Sequence, residues 1–141
     1  MNNYDIERIL KANVPEFRGV FSCDTLPDDD VRGLLVCNTD PHDKPGQHWI
    51  AMYFDGQHGE YFDSLGREPA KVFKDYMNRH CKYWIANDRQ LQSICSRFCG
   101  HYCVYYCLLR SSGVDLRRIV SSFTNDTGFN DVIVHGFICR H

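Results

Sequence analysis

Residues 92–108 read QSICSRFCGHYCVYYCL, and this stretch decides the fold because a buried helix is predicted to begin inside it. From Cys99 onward, apolar and aromatic side chains cover more than half of the helical circumference. A helix on a protein surface carries a narrower apolar stripe, so this breadth predicts a helix enclosed by other elements. The small residues 111–113 are typical of its end.

Three predicted strands precede this helix. Residues 34–37 form a short apolar run that indicates an interior strand, and residues 48–54 alternate in the manner of a second strand. A turn at Asp55 and Gly56 leads into a third strand at residues 60–63. The sequence therefore predicts an α+β fold in which this antiparallel meander packs on the buried central helix.

Helical spacing and turn residues define the remaining segments. Further helices are predicted at residues 4–12, 69–80, 115–123 and 129–139. Residues 17–21 are predicted to form a loop with apolar anchors, and residues 39–46 a turn. A strand that begins at Tyr83 is predicted to run toward Gln92. No repeat or linker divides the chain, so residues 1–141 are expected to form a single domain.

Composition favours an ordinary globular protein. Of the 141 residues, 43% are hydrophobic, which is enough for one core. No apolar window reaches the ~18 residues of a membrane span, and the first residues lack the features of a signal peptide. Without an export signal, we expect the eight cysteines to be mostly free thiols in a reducing compartment. These features predict an intracellular protein, neither secreted nor bound to a membrane.

The net charge of −2 is unevenly spread along the chain. Residues 1–64 carry −7, residues 65–118 carry +6 and residues 119–141 carry −1. The middle segment has the charge to face a polyanion. The alternative is that these charges are simply solvated and scattered.

Cys99 is the first residue of the predicted buried helix, and Gly100 follows it. The unpaired N–H groups of a helix N-terminus favour a thiolate, and they can also hold a developing oxyanion. Gly100 removes side-chain bulk where a substrate main chain must come close. Taken alone, however, Cys99 is better explained as a buried structural thiol.

Three further residues supply the remaining parts of a thiol hydrolase. His48 stands at the entry of the second strand and Asp63 at the end of the third, so a hairpin brings them together, where a carboxylate can hold the imidazole tautomer. Trp49 can shield one side of the imidazole. Gln92 can donate its amide N–H to an oxyanion. Each residue alone is compatible with a polar turn or surface position, and it is their combined arrangement that favours catalysis.

The cysteines at positions 95, 99, 103 and 107 are evenly spaced, which is a pattern that could suggest a metal site. Along one helix these positions extend over ~18 Å at 1.5 Å per residue. A Zn²⁺ ion needs all its sulfur ligands within ~2.3 Å. We therefore predict no metal at these four cysteines.

The order and spacing of these residues resemble adenain, the cysteine protease of adenoviruses, and its relatives in adenovirus-like DNA viruses and Polinton/Maverick mobile elements. The resembling segments are Phe17-Arg18-Gly19-Val20-Phe21, Leu35-Val36-Cys37-Asn38-Thr39, Gly46-Gln47-His48-Trp49, Tyr61-Phe62-Asp63-Ser64-Leu65-Gly66, Gln92-Ser93 and Ser96-Arg97-Phe98-Cys99-Gly100. The Gln-x6-Cys-Gly spacing is that of adenain, whereas SUMO-type proteases of the same clan usually place the glutamine one residue closer.

The resemblance implies a role for each residue: Cys99 as nucleophile, His48 as general base, Asp63 as its orienting carboxylate and Gln92 as oxyanion donor. Adenain-like members carry glutamate where this chain has Asp63, and the SUMO-protease branch uses aspartate, so the role is kept. The implied fold is the circularly permuted papain-like fold. The implied activity is endopeptidase cleavage of viral or mobile-element precursor polypeptides beside small residues, after an apolar–x–Gly–small motif, in the host nucleus or cytoplasm or in the virion.

The resemblance also implies two activators. Adenain is activated by DNA and by a short viral peptide that forms a disulfide upstream of the catalytic glutamine, and Cys81 occupies the corresponding position. An ordinary cysteine at a helix end is the alternative for Cys81. Residues 65–118 are the candidate DNA-binding face. This chain is shorter after Cys99 than adenain, so part of the cofactor surface is expected to be missing.

Two other functions use the same residues or the same fold. A deconjugating protease for ubiquitin-like proteins would use the same four residues and differ in its substrate. A non-catalytic binding module would be marked by loss of a catalytic residue, and none of the four is lost here.

Overall fold

The computed structural model describes residues 1–43 and 48–141. The segment 44–47 contains Gly46 and Gln47, which belong to the motif around His48 and to the end of the turn predicted at residues 39–46. These positions lie outside the described residues.

A mixed five-stranded sheet lies at the centre of the fold, with its strands in the order β1-β2-β3-β4-β5. The strands are β1 (Phe17–Ser22), β2 (Gly33–Asn38), β3 (Trp49–Phe54), β4 (His58–Phe62) and β5 (Tyr83–Ala86). Strands β2, β3 and β4 pair antiparallel, as the meander predicted from the sequence requires. Strands β1 and β5 pair parallel to their neighbours at the two edges, so the whole sheet is mixed rather than antiparallel.

The two edge strands correct two predictions. The segment predicted as a loop at residues 17–21 is strand β1, whose pattern is irregular because its register shifts between Phe17 and Gly19. The strand predicted to run from Tyr83 toward Gln92 ends at Ala86. Beyond that point the side chain of Asn87 bonds to the main chain at the end of β4, and the parallel ladder does not continue.

Five helices surround the sheet in the described part of the chain. They are α1 (Asn3–Asn13), α2 (Lys71–His80), α3 (Cys99–Ser111), α4 (Leu116–Ser121) and α5 (Thr127–Ile138). All five lie within a few residues of the predicted helices. The side chains of Asp115 and Asp126 cap the N-termini of α4 and α5, which explains where those helices begin. None of these described helices has the length and apolar character needed to cross a membrane.

Side chains on the two faces of the sheet enter two separate clusters. Alternate residues of a strand point to opposite faces, so Leu34 and Ala51 join a cluster with α1 and α3, whereas Leu35 and Ile50 join a cluster with α2. Helix α3 contacts the sheet, α1, α4 and α5. The broad apolar surface of α3 is therefore buried, as the sequence predicted.

Candidate active site

Cys99 lies half-buried at the N-terminus of α3 and lines a cleft of about 760 Å³. The cleft extends from the ends of β3 and β4 to the first turn of α2 and the segment before α3. Its lining includes His48, Trp49, Asp63 and Gln92. The structure thus brings the predicted nucleophile, base, orienting carboxylate and oxyanion donor to one cleft.

His48 and Asp63 meet at one end of the β3–β4 hairpin. The antiparallel register pairs Ala51 with Phe62, so the residue before β3 and the residue after β4 reach the same edge of the sheet. His48 Nε2 lies 2.6 Å from Asp63 Oδ1, and the two side chains are only 11% and 5% exposed. Because Nε2 is bound to the carboxylate, Nδ1 is the ring nitrogen that remains for the thiol of Cys99.

The ionisation of the thiol and the imidazole is coupled. Burial disfavours the imidazolium, but the hydrogen bond to Asp63 and the nearby thiol of Cys99 outweigh it and raise the pKa of His48 to about 9. Burial likewise opposes the thiolate, but nearby His48 and the N–H groups of Trp49 and Gly100 hold the pKa of Cys99 below its usual value. Both directions favour a thiolate–imidazolium pair, which is the reactive form of a catalytic cysteine.

Hydrogen bonds to neighbouring residues hold Asp63 in place. The side chain of Asn87 accepts from the N–H of Asp63 at 2.9 Å and donates to its carbonyl at 2.6 Å. Asp63 Oδ1 also accepts from the N–H of Leu65 at 2.9 Å. The carboxylate is therefore fixed by its own main chain and by the following turn, and it presents one oxygen to His48.

Gln92 is 3% exposed and is bound at both ends of its amide. Its Oε1 accepts from the hydroxyl of Ser64 at 2.6 Å, and its Nε2 donates to the carbonyl of Ser96 at 3.1 Å. An amide nitrogen carries two hydrogens, so one N–H of Gln92 stays available to an oxyanion in the cleft.

Gly100 and Trp49 take part in the wall behind the nucleophile. A side chain at Gly100 would lie 3.5 Å from Ile6, Met1 and Trp49, so its missing Cβ faces these residues. The sequence suggested that Gly100 makes room for substrate; a Cβ at 3.5 Å would make only ordinary van der Waals contact with these residues, so the packing of α1 and β3 against α3 does not require glycine there.

Cys81 lies at the end of α2, outside the residues that line the cleft. It is half-buried, and its Sγ donates to the carbonyl of Met77 at 3.1 Å. Burial, with a smaller effect from Asp55, raises the pKa of the Cys81 thiol. This environment makes Cys81 less reactive than a free surface thiol.

Half of the basic side chains of residues 65–118 bind partners within the chain. Lys71 pairs with Asp75, Lys74 with Glu68, Arg79 with Asp28 and Arg110 with Glu60, and Arg89 donates to the carbonyls of Val120, Phe123 and Thr124. These contacts favour the scattered arrangement over a continuous basic face.

Sequence reasoning did not single out Ser64 and Asn87, which hold the site residues. Each bonds to a residue that is distant in sequence: 28 positions separate Ser64 from Gln92, and 24 separate Asn87 from Asp63. Ser64 stands beside Asp63 in one of the segments that resemble adenain, and that position was its one sequence signal.

Comparisons with known proteins found a thiol protease and two structures of one protease. An alignment of 64 residues, at 31% identity, covers 43% of this chain and 21% of "Putative thiol protease R355" of Acanthamoeba polyphaga mimivirus. Two crystal structures of the ASFV pS273R protease match 96% and 95% of this chain, with TM-scores of 0.64 and 0.67 and identities of 19% and 21%. No family model matches the chain.

The chain has the fold of the ASFV pS273R protease, and a segment of it is similar to a thiol protease. The match spans about a fifth of the mimivirus protein and 66% of the ASFV protease. The α+β architecture with its mixed sheet is the fold of that protease.

Proposed function

We propose that this chain is a cysteine endopeptidase of the adenain type, in which Cys99, His48 and Asp63 form the catalytic triad and Gln92 supplies the oxyanion hole. The observation that carries the proposal is the 2.6 Å contact of His48 with Asp63 beside a thiol whose pKa is lowered. A structural cysteine in an apolar helix has the opposite perturbation, as the raised pKa of fully buried Cys103 illustrates.

The geometry supports a two-step reaction. The Cys99 thiolate attacks the scissile carbonyl, and the electron pair moves to oxygen, where the free N–H of Gln92 and main-chain N–H groups at the start of α3 receive it. When the C–N bond breaks, the His48 imidazolium gives its proton to the leaving amine and a thioester remains. His48, now neutral, removes a proton from water, which attacks the thioester and releases the acid and the Cys99 thiolate.

The chain order of the site supports the permuted papain-like fold. His48, Asp63 and Gln92 all precede Cys99. In papain-like enzymes the cysteine lies near the mature N-terminus and the histidine follows far downstream. In this chain the nucleophile helix instead follows the strands that position the base and its carboxylate.

The cleft also supports a preference for an apolar substrate residue. Leu65, Val72 and Ile94 line it, and Val72 and Ile94 remain 46% and 74% exposed. Apolar side chains left exposed in a cleft can bury an apolar side chain of a ligand. We propose precursor polypeptides of a virus or mobile element as substrates, cut beside small residues after an apolar–x–Gly–small motif; the viral origin of the thiol protease relative supports this source.

The test is turnover of short peptides of the apolar–x–Gly–Gly pattern, followed by mass spectrometry of the products. Wild type should cleave them, and Cys99→Ala should abolish turnover without lowering the melting temperature. Cys95→Ala is the matched control, since Cys95 is an exposed free cysteine four residues earlier. Turnover by Cys99→Ala would overturn the proposal. Cleavage of a ubiquitin-like C-terminal probe but not of the peptides would favour the deconjugating alternative.

Activation by a peptide through Cys81 and by DNA through residues 65–118 remains a prediction. A mixed disulfide at Cys81 in active enzyme, found by peptide mass spectrometry, would support the first. Stimulation by DNA that disappears at high salt would support the second, because phosphate contacts weaken steeply as salt rises.

A further inference from the structure

Ser64 is fully buried, and its hydroxyl forms a short bond to the amide of the proposed oxyanion donor. The carbonyl of Ser96 can only accept hydrogen bonds, so it sets which end of the Gln92 amide faces the segment before α3. Ser64 satisfies the other end. Without it, Gln92 Oε1 would be a buried acceptor with no partner, and the side chain would lose one of its two anchors.

We propose that Ser64 is a positioning residue for the oxyanion donor Gln92. Asp63 and Ser64 are adjacent in the main chain, and each then positions one part of the site. Asp63 orients the base His48, and Ser64 orients the oxyanion donor Gln92. This inference rests on the proposed function, because it assigns Ser64 a part in stabilising the transition state of that reaction.

The main chain around Ser64 supports the assignment. The carbonyl of Ser64 accepts from the N–H groups of Leu91 and Gln92 at 2.8 and 3.0 Å. Gln92 is therefore bonded to Ser64 through its main chain and, independently, through its side chain. A change of Ser64 to alanine removes the side-chain link and keeps the main-chain bonds, so it is expected to loosen the amide while the surrounding fold is preserved.

The Ser64 contact is expected to strengthen during the reaction. When the N–H of Gln92 binds the oxyanion, the amide is polarised and its Oε1 becomes more negative. A hydrogen bond to that oxygen then gains strength, as in other chains of hydrogen bonds in a medium of low polarity. An interaction that is stronger in the transition state than in the ground state raises kcat rather than lowering KM.

The first experiment compares wild type and Ser64→Ala with an apolar–x–Gly–Gly peptide. We expect kcat to fall about tenfold, the loss of one hydrogen bond of ordinary strength, with KM unchanged. Ser122→Ala is the matched control, because its hydroxyl makes a bond of the same 2.6 Å length at the end of α4, away from the lining of the cleft. Ser64→Cys keeps the shape of the side chain but is a weak donor, so it should give a smaller loss of kcat. It keeps the inference testable if the alanine variant misfolds.

Two reagents separate positioning from structural damage. A peptide aldehyde forms a hemithioacetal, in which the C–S bond of Cys99 is made and the carbonyl oxygen enters the oxyanion hole. Its inhibition constant should rise in Ser64→Ala by the same factor as kcat falls. Iodoacetamide alkylates the thiolate by displacing iodide and needs no oxyanion hole, so the alkylation rate of Cys99 should change by less than twofold.

A double-mutant cycle decides whether Ser64 acts through Gln92. Gln92→Ala alone should lower kcat by about 10²–10³. Adding Ser64→Ala should then cost less than twofold, because the group that Ser64 positions is absent. Three outcomes would overturn this inference alone. They are a further tenfold loss of kcat in the Gln92→Ala background, an alkylation rate of Cys99 in Ser64→Ala that falls together with kcat, and a Ser64→Ala enzyme whose kcat equals that of wild type. A wild type with no turnover would overturn the proposed function and this inference with it.

Discussion

Replacing Asp63 with asparagine keeps the shape of the side chain and removes its charge. The substitution therefore tests whether Asp63 stabilises the charged form of His48, the base of the proposed triad. The pKa of His48 is raised from 6.5 to about 9. At 1.36 kcal/mol per pKa unit, this rise is equivalent to about 3 kcal/mol of stabilisation of the imidazolium. Asp63 and Cys99 provide this stabilisation against the cost of burial. The hydrogen bond to Asp63 is the largest of the contributions that raise the pKa of His48.

If Asp63 provides half of this net effect, its loss costs on the order of 1–2 kcal/mol, which is a roughly tenfold smaller population of the ion pair. The sign follows from the contacts. Without the carboxylate the pKa of His48 falls, the imidazolium is lost at a lower pH, and the pKa of Cys99 rises toward its usual value. We expect the alkylation of Cys99 in Asp63→Asn to move its midpoint upward by about one pH unit and to slow at least tenfold at pH 6.5.

The assay is iodoacetamide alkylation of every cysteine between pH 5 and 9.5, read by peptide mass spectrometry. Exposed Cys95 and Cys139 serve as internal standards in the same sample. His48→Ala should remove the advantage of Cys99 altogether. If Asp63→Asn keeps the wild-type pH profile at Cys99, Asp63 does not stabilise the imidazolium, and the reasoning from the His48 contact is refuted.

Three further predictions concern the support of the site. Gly66→Ala should lower the free energy of unfolding in urea by about 1–3 kcal/mol more than Gly113→Ala. Both glycines have a positive φ, but a Cβ at Gly66 would lie 2.5 Å from a main-chain carbon, whereas a Cβ at Gly113 would meet nothing within 4 Å. Equal costs of the two substitutions would contradict this. Tyr106→Phe should destabilise by about 2 kcal/mol by removing its bond to a buried carboxylate, whereas Tyr105→Phe on the same helix should cost under 0.5 kcal/mol. Cys81 should be alkylated more slowly than the exposed cysteines at pH 7, and an equal rate would show that its thiol is not held by α2.

The meeting of His48 and Asp63 could be predicted because it depends on local pattern. Alternation marks the two strands, a turn joins them, and any antiparallel hairpin brings the residue before one strand close to the residue after the other. The same holds for Cys99, because a helix that is apolar on most of its surface has to be buried and its first turn is where its N–H groups remain free.

The edges of the sheet and the anchors of the site depend on distant contacts that local pattern does not encode. Strand β1 pairs parallel with β2, and its register shift near Gly19 removes the regular alternation by which a strand is recognised. Strand β5 has four residues, two of them exposed, so its pattern is weak. Ser64 and Asn87 are ordinary polar residues until the fold places their partners beside them.

The position of the nucleophile relative to its base depends on the core beneath the cleft. Phe62, the last residue of β4, stacks on Tyr106 of α3 with ring centroids 4.9 Å apart and planes at 4°. The hydroxyl of Tyr106 also bonds to buried Glu60 at 2.6 Å. Tyr106 stands about two turns, or ~10 Å, below Cys99 along the helix axis. Tyr106 thus joins β4, which the orienting carboxylate Asp63 directly follows, to the helix that begins with the thiol. A change that loosens these contacts should separate Cys99 from His48 without touching either residue.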